Sequence, residues 1–241
     1  MKVVPHVARL LAGPWLGVLS RHWHRYAPSV AVRRGVFGFS IYYDLRDNPY
    51  YWASSRRHLE EGEPIFELLK RPPCQVWDVG SNVGLFSMRA AEFGHNVVSF
   101  DISDKALGLL SRSAHRNRFD VKTVNRAFSV APMRYRVPAG CMADNRMLPP
   151  AGDAGDRHSI PFEEAAAKFG VPALIKMDIE GGEGLFFDSP VFKRWILGHG
   201  IQWIVEIHSP EYFGKLWSDV SALRLDHSHV LINVADDAPR T

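Results

Sequence analysis

The segment Asp78-Val79-Gly80-Ser81-Asn82-Val83-Gly84 decides how the rest of the chain is read. It follows a short apolar run, Gln75 to Val79, and opens a helical pattern from Gly84 to Phe93. A strand that breaks into a glycine turn and then a helix is the first unit of a Rossmann-like sheet, whose ligands lie beyond the carboxyl ends of the strands. Gly80 and Gly84 permit a tight turn and close backbone approach to a ligand. Dinucleotide loops read G-x-G-x-x-G and seat a pyrophosphate on the helix N-terminus. Here Asp78 replaces the first glycine. A carboxylate at that place repels phosphate and suits a ligand with cationic groups.

S-adenosylmethionine meets that condition: it carries a sulfonium and an ammonium and no phosphate. NAD does not. The next apolar run ends in Ser99-Phe100-Asp101-Ile102. An acid about 20 residues beyond the glycine loop is placed to accept the two ribose hydroxyls. Its alternative role is a helix cap. In the first reading Ile102 packs near the adenine.

Working outward, apolar runs and helical stretches alternate. Strands are expected over 96–102, 121–128, 173–179 and 201–207. Helices are expected over 104–118, 162–169, 191–197 and 209–220. A polar Gly/Pro-containing loop covers 139–159, and a terminal hairpin joins 223–225 to 230–234. Continuous apolar strands separated by helices predict an α/β fold with a mostly parallel sheet covered on both faces. Upstream, 36–45 reads as strand or hairpin, and 49–61 and 64–70 read as helices. Arg71-Pro72-Pro73 ends that region. The chain therefore divides into an N-terminal helical and hairpin subdomain (1–71) and the main domain (72–241).

The 241 residues are 46% hydrophobic and 23% charged, an ordinary globular composition. The net charge of +3 with no long basic run gives no reason to expect a nucleic-acid partner. Two cysteines, Cys74 and Cys141, lack metal-type spacing. They fit a reducing, cytoplasmic setting. Val3 to Leu19 is apolar but is interrupted by Pro5, Arg9 and Pro14, and is too short and broken to span a bilayer. It reads as a helix packed on the domain, or as a peripheral membrane or partner contact with a basic, aromatic end.

Two further stretches carry chemistry. In Lys176-Met177-Asp178-Ile179-Glu180-Gly181-Gly182-Glu183, the charges at 176, 178 and 180 alternate, which on a strand puts them on one face. A buried parallel strand holds three charges only for pairing or for function. Asp178 is placed to face the amino group of the cofactor or the acceptor. Glu206-Ile207-His208 ends the fifth strand, with Glu206 and His208 alternating likewise. His208 is the candidate general base; its alternative is a satisfied strand-end histidine. Asp178, Glu206 and His208 also form a donor set of the magnesium or manganese type, although no metal is assigned.

Together these motifs resemble the FkbM family of S-adenosylmethionine-dependent methyltransferases. DVGSNVG at 78–84 is similar to that family's D-V-G-A-N-x-G. KMDIEGGE at 176–183 is similar to its K-x-D-V/I-E-G-x-E, and Glu206-Ile207-His208 to its E-x-H. The likeness covers roughly 35–208. The stretch Asn125-Arg126-Ala127-Phe128-Ser129 is similar to the family's third-strand turn and adds Ala127 to the cofactor site. Glu63 is similar to a Gly-x-Glu element that closes over the cofactor. Asp101-Ile102 departs from the usual Glu-Pro, which keeps the ribose carboxylate and changes the wall behind it.

The resemblance implies a class I methyltransferase fold: a mostly parallel seven-stranded sheet, helices on both faces and an antiparallel terminal hairpin. It implies that Asp78, Gly80, Ser81, Asn82, Gly84, Asp101, Ile102, Ala127 and Glu63 hold S-adenosyl-L-methionine. Lys176, Asp178, Glu180, Glu206 and His208 then orient and activate the acceptor. The acceptor implied is a hydroxyl of a sugar, a nodulation-factor-like glycan or a secondary metabolite. The competing readings are an NAD-dependent oxidoreductase and a non-catalytic adenosyl-binding module.

Overall fold

Alternation along the strands sorts the interior into two layers. Val76, Val97, Leu174 and Ile204 point to one face of the sheet, and Trp77, Val98, Ile175 and Trp203 to the other. A computed structural model describes residues 30–34, 38–44, 63–137, 157–208, 222–225 and 229–232. The elements are β1 (Ala31–Arg34), β2 (Ser40–Tyr43), α1 (Glu63–Glu67), β3 (Gln75–Val79), α2 (Leu85–Glu92), β4 (Asn96–Phe100), α3 (Asp104–Asn117) and β5 (Val121–Val124). Four two-residue strands follow: β6 (Phe128–Ser129), β7 (Arg134–Tyr135), β8 (Arg157–His158) and β9 (Ile160–Pro161). The chain continues through α4 (Phe162–Phe169), β10 (Leu174–Met177), α5 (Gly184–Phe187), α6 (Pro190–Gly198), β11 (Gln202–Glu206), β12 (Ala222–Arg224) and β13 (His229–Ile232).

The main sheet has seven strands in the order β12-β13-β11-β10-β3-β4-β5. β3, β4, β5, β10 and β11 run parallel. β13 runs antiparallel between β11 and β12, so the terminal hairpin closes one edge. The chain winds outward from β3 through β4 to β5, then returns to β10 on the other side. The switch point of a doubly wound sheet therefore falls at the carboxyl ends of β3 and β10, where such sheets bind ligands.

One face carries α2, α3 and the β1–β2 hairpin, with Phe39, Ile41, Leu69, Met88 and Leu110 filling the layer. The hairpin is fastened to α3: Ser40 N–H donates to Asn117 Oδ1 at 2.9 Å and Tyr42 N–H to Ser113 Oγ at 3.0 Å. The opposite face is an aromatic layer of Trp77, Phe100, Phe162, Phe186, Phe192 and Trp203. Ser103 caps α3 by accepting from Ala106 N–H, and Ser189 caps α6 ahead of Pro190.

Several boundaries differ from those read in the sequence. β5 ends at Val124, because Arg126 N–H turns back to Val124 carbonyl at 3.0 Å. Phe128–Ser129 then pairs with Ile160–Pro161 outside the main sheet. β10 ends at Met177, so Asp178 and Glu180 lie in the turn beyond it. The short helix α5 after that turn was not anticipated. The expected elements at 3–19, 49–61 and 209–220, and most of the 139–159 loop, lie outside the described residues, as does Cys141. Cys74 is a free thiol. Among the described residues no helix is long and apolar enough to cross a membrane.

Gly84 shows how tightly this frame is set. Its φ is +85°, and a Cβ there would stand 2.1 Å from Leu110 Cδ1. Gly84→Ala is expected to lower stability by about 2–4 kcal/mol, from overpacking and left-handed strain together. Leu110→Ala in the same chain should recover part of the overpacking share in a urea-denaturation double-mutant cycle.

Candidate active site

The layer facing α2 changes character at the carboxyl ends of the strands. Two residues beyond Val76, Val97, Leu174 and Ile204 stand Asp78, Ser99, Lys176 and Glu206, still on that face. Strand register sets Asp78 between Ser99 on β4 and Lys176 on β10. Asp78 is fully buried, and its Oδ2 accepts from Ser87 N–H at 3.1 Å and from Ser87 Oγ at 2.5 Å. Ser87 Oγ also lies 2.7 Å from Ser99 Oγ. Lys176 Nζ stands 3.9 Å from Asp78 Oδ1 and donates to Asp178 Oδ2 at 3.1 Å. Asp78 thus lies beneath the loop and anchors α2. It does not present its charge at the loop mouth, as the sequence argument supposed.

The glycine turn is also built by contacts within the protein. Gly80 has φ +77°, and a Cβ there would sit 1.7 Å from the Asp178 carbonyl oxygen. The close approach that Gly80 permits is therefore to the β10 turn, and that of Gly84 is to Leu110 on α3. Gly80 and Ser81 N–H both donate to the Phe100 carbonyl, and Gly84 N–H to the Ser81 carbonyl. Asn82, at φ 50°, donates its N–H to Asp101 Oδ2 at 2.7 Å. Asp101 Oδ1 accepts from Ser103 N–H at 2.8 Å. Asp101 is therefore a bracket between the loop and the start of α3, while Ser103 supplies the helix cap itself. Burial raises the Asp101 pKa, and the Ser103 and Asn82 amides oppose that.

Around this bracket, Asn125 Nδ2 donates to the Asp101 carbonyl at 3.1 Å. Arg157 ties Ile102 carbonyl, Asn125 Oδ1 and Asp104 Oδ2 together at 3.0, 2.7 and 2.7 Å. Ile102 is half-buried beside it. Ala127 is buried; its N–H donates to Tyr135 Oη and its carbonyl accepts from Ile160. Glu63 begins α1, and its side chain lies outside the described residues. Three buried atoms at the loop, Asp78 Oδ1, Ser81 Oγ and Asn82 Oδ1, have no hydrogen-bond partner among the described residues. Such atoms are costly unless a ligand or solvent meets them.

The second half of the site is acidic. Burial works to lower the Lys176 pKa, but Asp178, then Asp78 and Glu206, outweigh it, so the ammonium is held charged. Burial raises the Asp178 pKa, with Lys176 opposing. Glu180 has φ 55° and turns out of the strand, so the alternation read in the sequence stops at Asp178. Glu206 faces His229, directly opposite it in the β11–β13 register, at 3.3 Å. Burial would raise its pKa, but the His229 contact leads the effects that hold it at about 2. It does not join Asp178 and His208 as the sequence trio supposed.

His208 is surrounded by carboxylates. Its Nδ1 is 3.2 Å from Glu183 Oε1, and its Nε2 is 3.5 Å from Asp178 Oδ1 and 3.7 Å from Glu180 Oε2. Glu183 is fully buried and also accepts from Ile179 N–H at 2.8 Å. The Glu183 hydrogen bond raises the His208 pKa to about 9 against the effect of burial, and Asp178 adds to the rise. With its pKa raised this far, His208 would have to give up a proton before it could serve as the general base expected of it. Glu183 was quoted in the motif but given no role. The signal available was its place as the last acid of K-x-D-x-E-G-x-E.

No family model matches the chain, and no curated protein does. Among solved structures, the chain is similar to the ribosomal protein L11 methylase of Lactobacillus delbrueckii subsp. bulgaricus at 17% identity and TM-score 0.44, covering 73% of this chain and 77% of that one. It is similar to the Pyrococcus abyssi tRNA (uracil-54, C5)-methyltransferase in complex with S-adenosyl-L-homocysteine at 16% and 0.46, covering 86% and 44%. It is also similar to the T. Thermophilus 16S rRNA N2 G1207 methyltransferase in complex with AdoMet and guanosine at 14% and 0.48, covering 84% and 49%. The chain thus spans less than half the length of the last two.

The His208 contacts carry a pH signature. A pKa raised from 6.5 to about 9 gives stability that is fully present below pH 6.5 and is lost as pH rises through about 9. In chelator-stripped protein, the urea midpoint of wild type minus that of His208→Gln should fall across that window. The His208 ring resonances should titrate near pH 9 by NMR.

Proposed function

We propose that this chain is an S-adenosylmethionine-dependent methyltransferase acting on a hydroxyl of a small or glycan-type acceptor, such as a sugar, a lipo-oligosaccharide or a secondary metabolite. The observation that carries the reading is the state of the 80–84 turn. The amides of Gly80, Ser81, Asn82 and Gly84 are all taken by protein acceptors. A pyrophosphate needs such amides free. What the turn offers is oxygen: Asp101 at the end of β4, with Ser81 Oγ and Asn82 Oδ1 lacking hydrogen-bond partners among the described residues. Oxygens of this kind suit ribose hydroxyls and an ammonium. This replaces the charge-repulsion argument, which the burial of Asp78 removes.

The bound cofactor supplies a methyl on a sulfonium, a leaving group already activated. In this reading Asp101 accepts from the ribose hydroxyls, Ile102 backs the adenine, and Gly80 to Gly84 carry the aminoacyl end. Ala127 completes the wall, and the FkbM resemblance adds Glu63 to the cofactor residues. Lys176 holds Asp178 at the strand end, and Glu180 stands at the rim. Asp178, made a stronger base by burial, accepts the proton from the acceptor hydroxyl as the oxygen attacks the methyl. The chain's main contribution is alignment of acceptor and methyl in line. The likeness to FkbM enzymes rests on motif residues alone and favours an oxygen acceptor.

Calorimetry tests the cofactor. S-adenosylmethionine and S-adenosylhomocysteine are expected to bind, and NADH is not. Asp101→Ala should weaken S-adenosylhomocysteine about 10–100-fold, the loss of hydrogen bonds to a charged group, with the fold intact by circular dichroism. Tight NADH binding without either methyl-cycle ligand would overturn the reading in favour of an oxidoreductase. Transfer of labelled methyl across a panel of glycans, small hydroxyl compounds and RNA then decides the acceptor; label on RNA alone would contradict the glycan-type assignment. If the ligands bind but Asp178→Asn leaves transfer unchanged, Asp178 is not the proton acceptor.

A further inference from the structure

We propose that Asp178, Glu183 and His208 bind one divalent metal ion at the carboxyl ends of β10 and β11. Each offers a donor atom, and these atoms all lie within 4.8 Å of one another. An ion with bonds of about 2.1–2.2 Å places neighbouring donors about 3 Å apart and opposite donors about 4.3 Å apart. Glu183 Oε1 lies 3.2 Å from His208 Nδ1 and Asp178 Oδ1 lies 3.5 Å from Nε2; an ion takes one of these two nitrogens, and with one donor per residue the set stays within the 4.8 Å spread.

A second observation comes from Glu183. This carboxylate is fully buried, and its Oε2 has no hydrogen-bond partner among the described residues. A buried carboxylate oxygen without a donor is costly, and a cation beside His208 meets it. The donor set is two carboxylates and an imidazole, which suits manganese-type or other first-row divalent ions more than soft thiolate-seeking ones. Glu180, 3.7 Å from the same imidazole, stands at the rim. Glu206 is engaged with His229 and is outside the set.

The metal site itself stands on these residues alone. Its use rests on the methyltransferase reading: an ion here lies beside Asp178, where it would orient the acceptor hydroxyl and favour loss of its proton. The choice of variants separates this site from adventitious surface binding.

The test titrates Mn²⁺ into chelator-stripped full-length protein, followed by electron paramagnetic resonance and by calorimetry. One ion per chain is expected. Asp178→Asn, Glu183→Gln and His208→Gln should each weaken it at least tenfold, and Glu206→Gln by less than threefold. His208 is partly exposed, so its variant reports even if the buried Glu183→Gln fails to fold. No stoichiometric Mn²⁺ binding, or binding indifferent to Asp178→Asn and His208→Gln, overturns the site. S-adenosylhomocysteine binding is measured on the same samples. That ligand bound without Mn²⁺ sinks the metal and leaves the methyltransferase reading; Mn²⁺ bound without the ligand does the reverse.

Discussion

One buried ammonium holds the functional end of this sheet together. Lys176 sits opposite Asp78 in the β3–β10 register, touches Asp178 in the turn beyond, and lies near Glu206 on the next strand. Without it, three carboxylates would face one another in a buried layer. Removing one partner of such a group typically costs 3–5 kcal/mol, because the remaining charges stay buried. The same contact fixes the geometry above it. Gly80 is pressed onto the Asp178 carbonyl, so the β3 loop and the β10 turn move as one surface.

That surface divides into two chemistries. On the β3–β4 side the amides of Gly80, Ser81, Asn82 and Gly84 are taken inside the protein, and the side-chain oxygens of Ser81 and Asn82 lie buried without a hydrogen-bond partner among the described residues. On the β10–β11 side Glu183, Asp178 and Glu180 surround the His208 imidazole, whose pKa is raised by the Glu183 hydrogen bond and by the charges of Asp178 and Glu206. In the proposed reading the first half disfavours phosphate because those four amides already have acceptors within the protein. The second half is a set of carboxylates and an imidazole that can take up either a proton or, as proposed, a divalent cation. The reacting hydroxyl of the proposed acceptor would lie between them, within reach of Asp178.

Much of this was legible in the sequence. The glycine turn after an apolar strand, the alternating apolar rows and the closing hairpin all follow from local patterns, and the sheet order agrees with them. The positions of Asp101, Lys176, Asp178 and His208 at strand ends were legible for the same reason. Their partners were not. Whether Asp78 points at a ligand or into the layer depends on Ser87, a helix residue nine positions on, whose side chain no strand pattern locates. Glu206 is paired with His229, which arrives from the terminal hairpin through strand register alone. Glu180 left the strand face because the chain turns left-handed there. Charge read along a single segment misses partners supplied by other elements, and those partners decided both the Asp78 and the His208 roles.

The most direct measurement is a crystal structure of the full chain soaked with S-adenosylhomocysteine. The ribose hydroxyls should lie on the Asp101 carboxylate, with the amino acid end over Gly80 to Asn82 and the sulfur directed toward Asp178. A ligand seated elsewhere, or a turn that rearranges to point its amides at a phosphate-bearing molecule instead, would contradict the central claim.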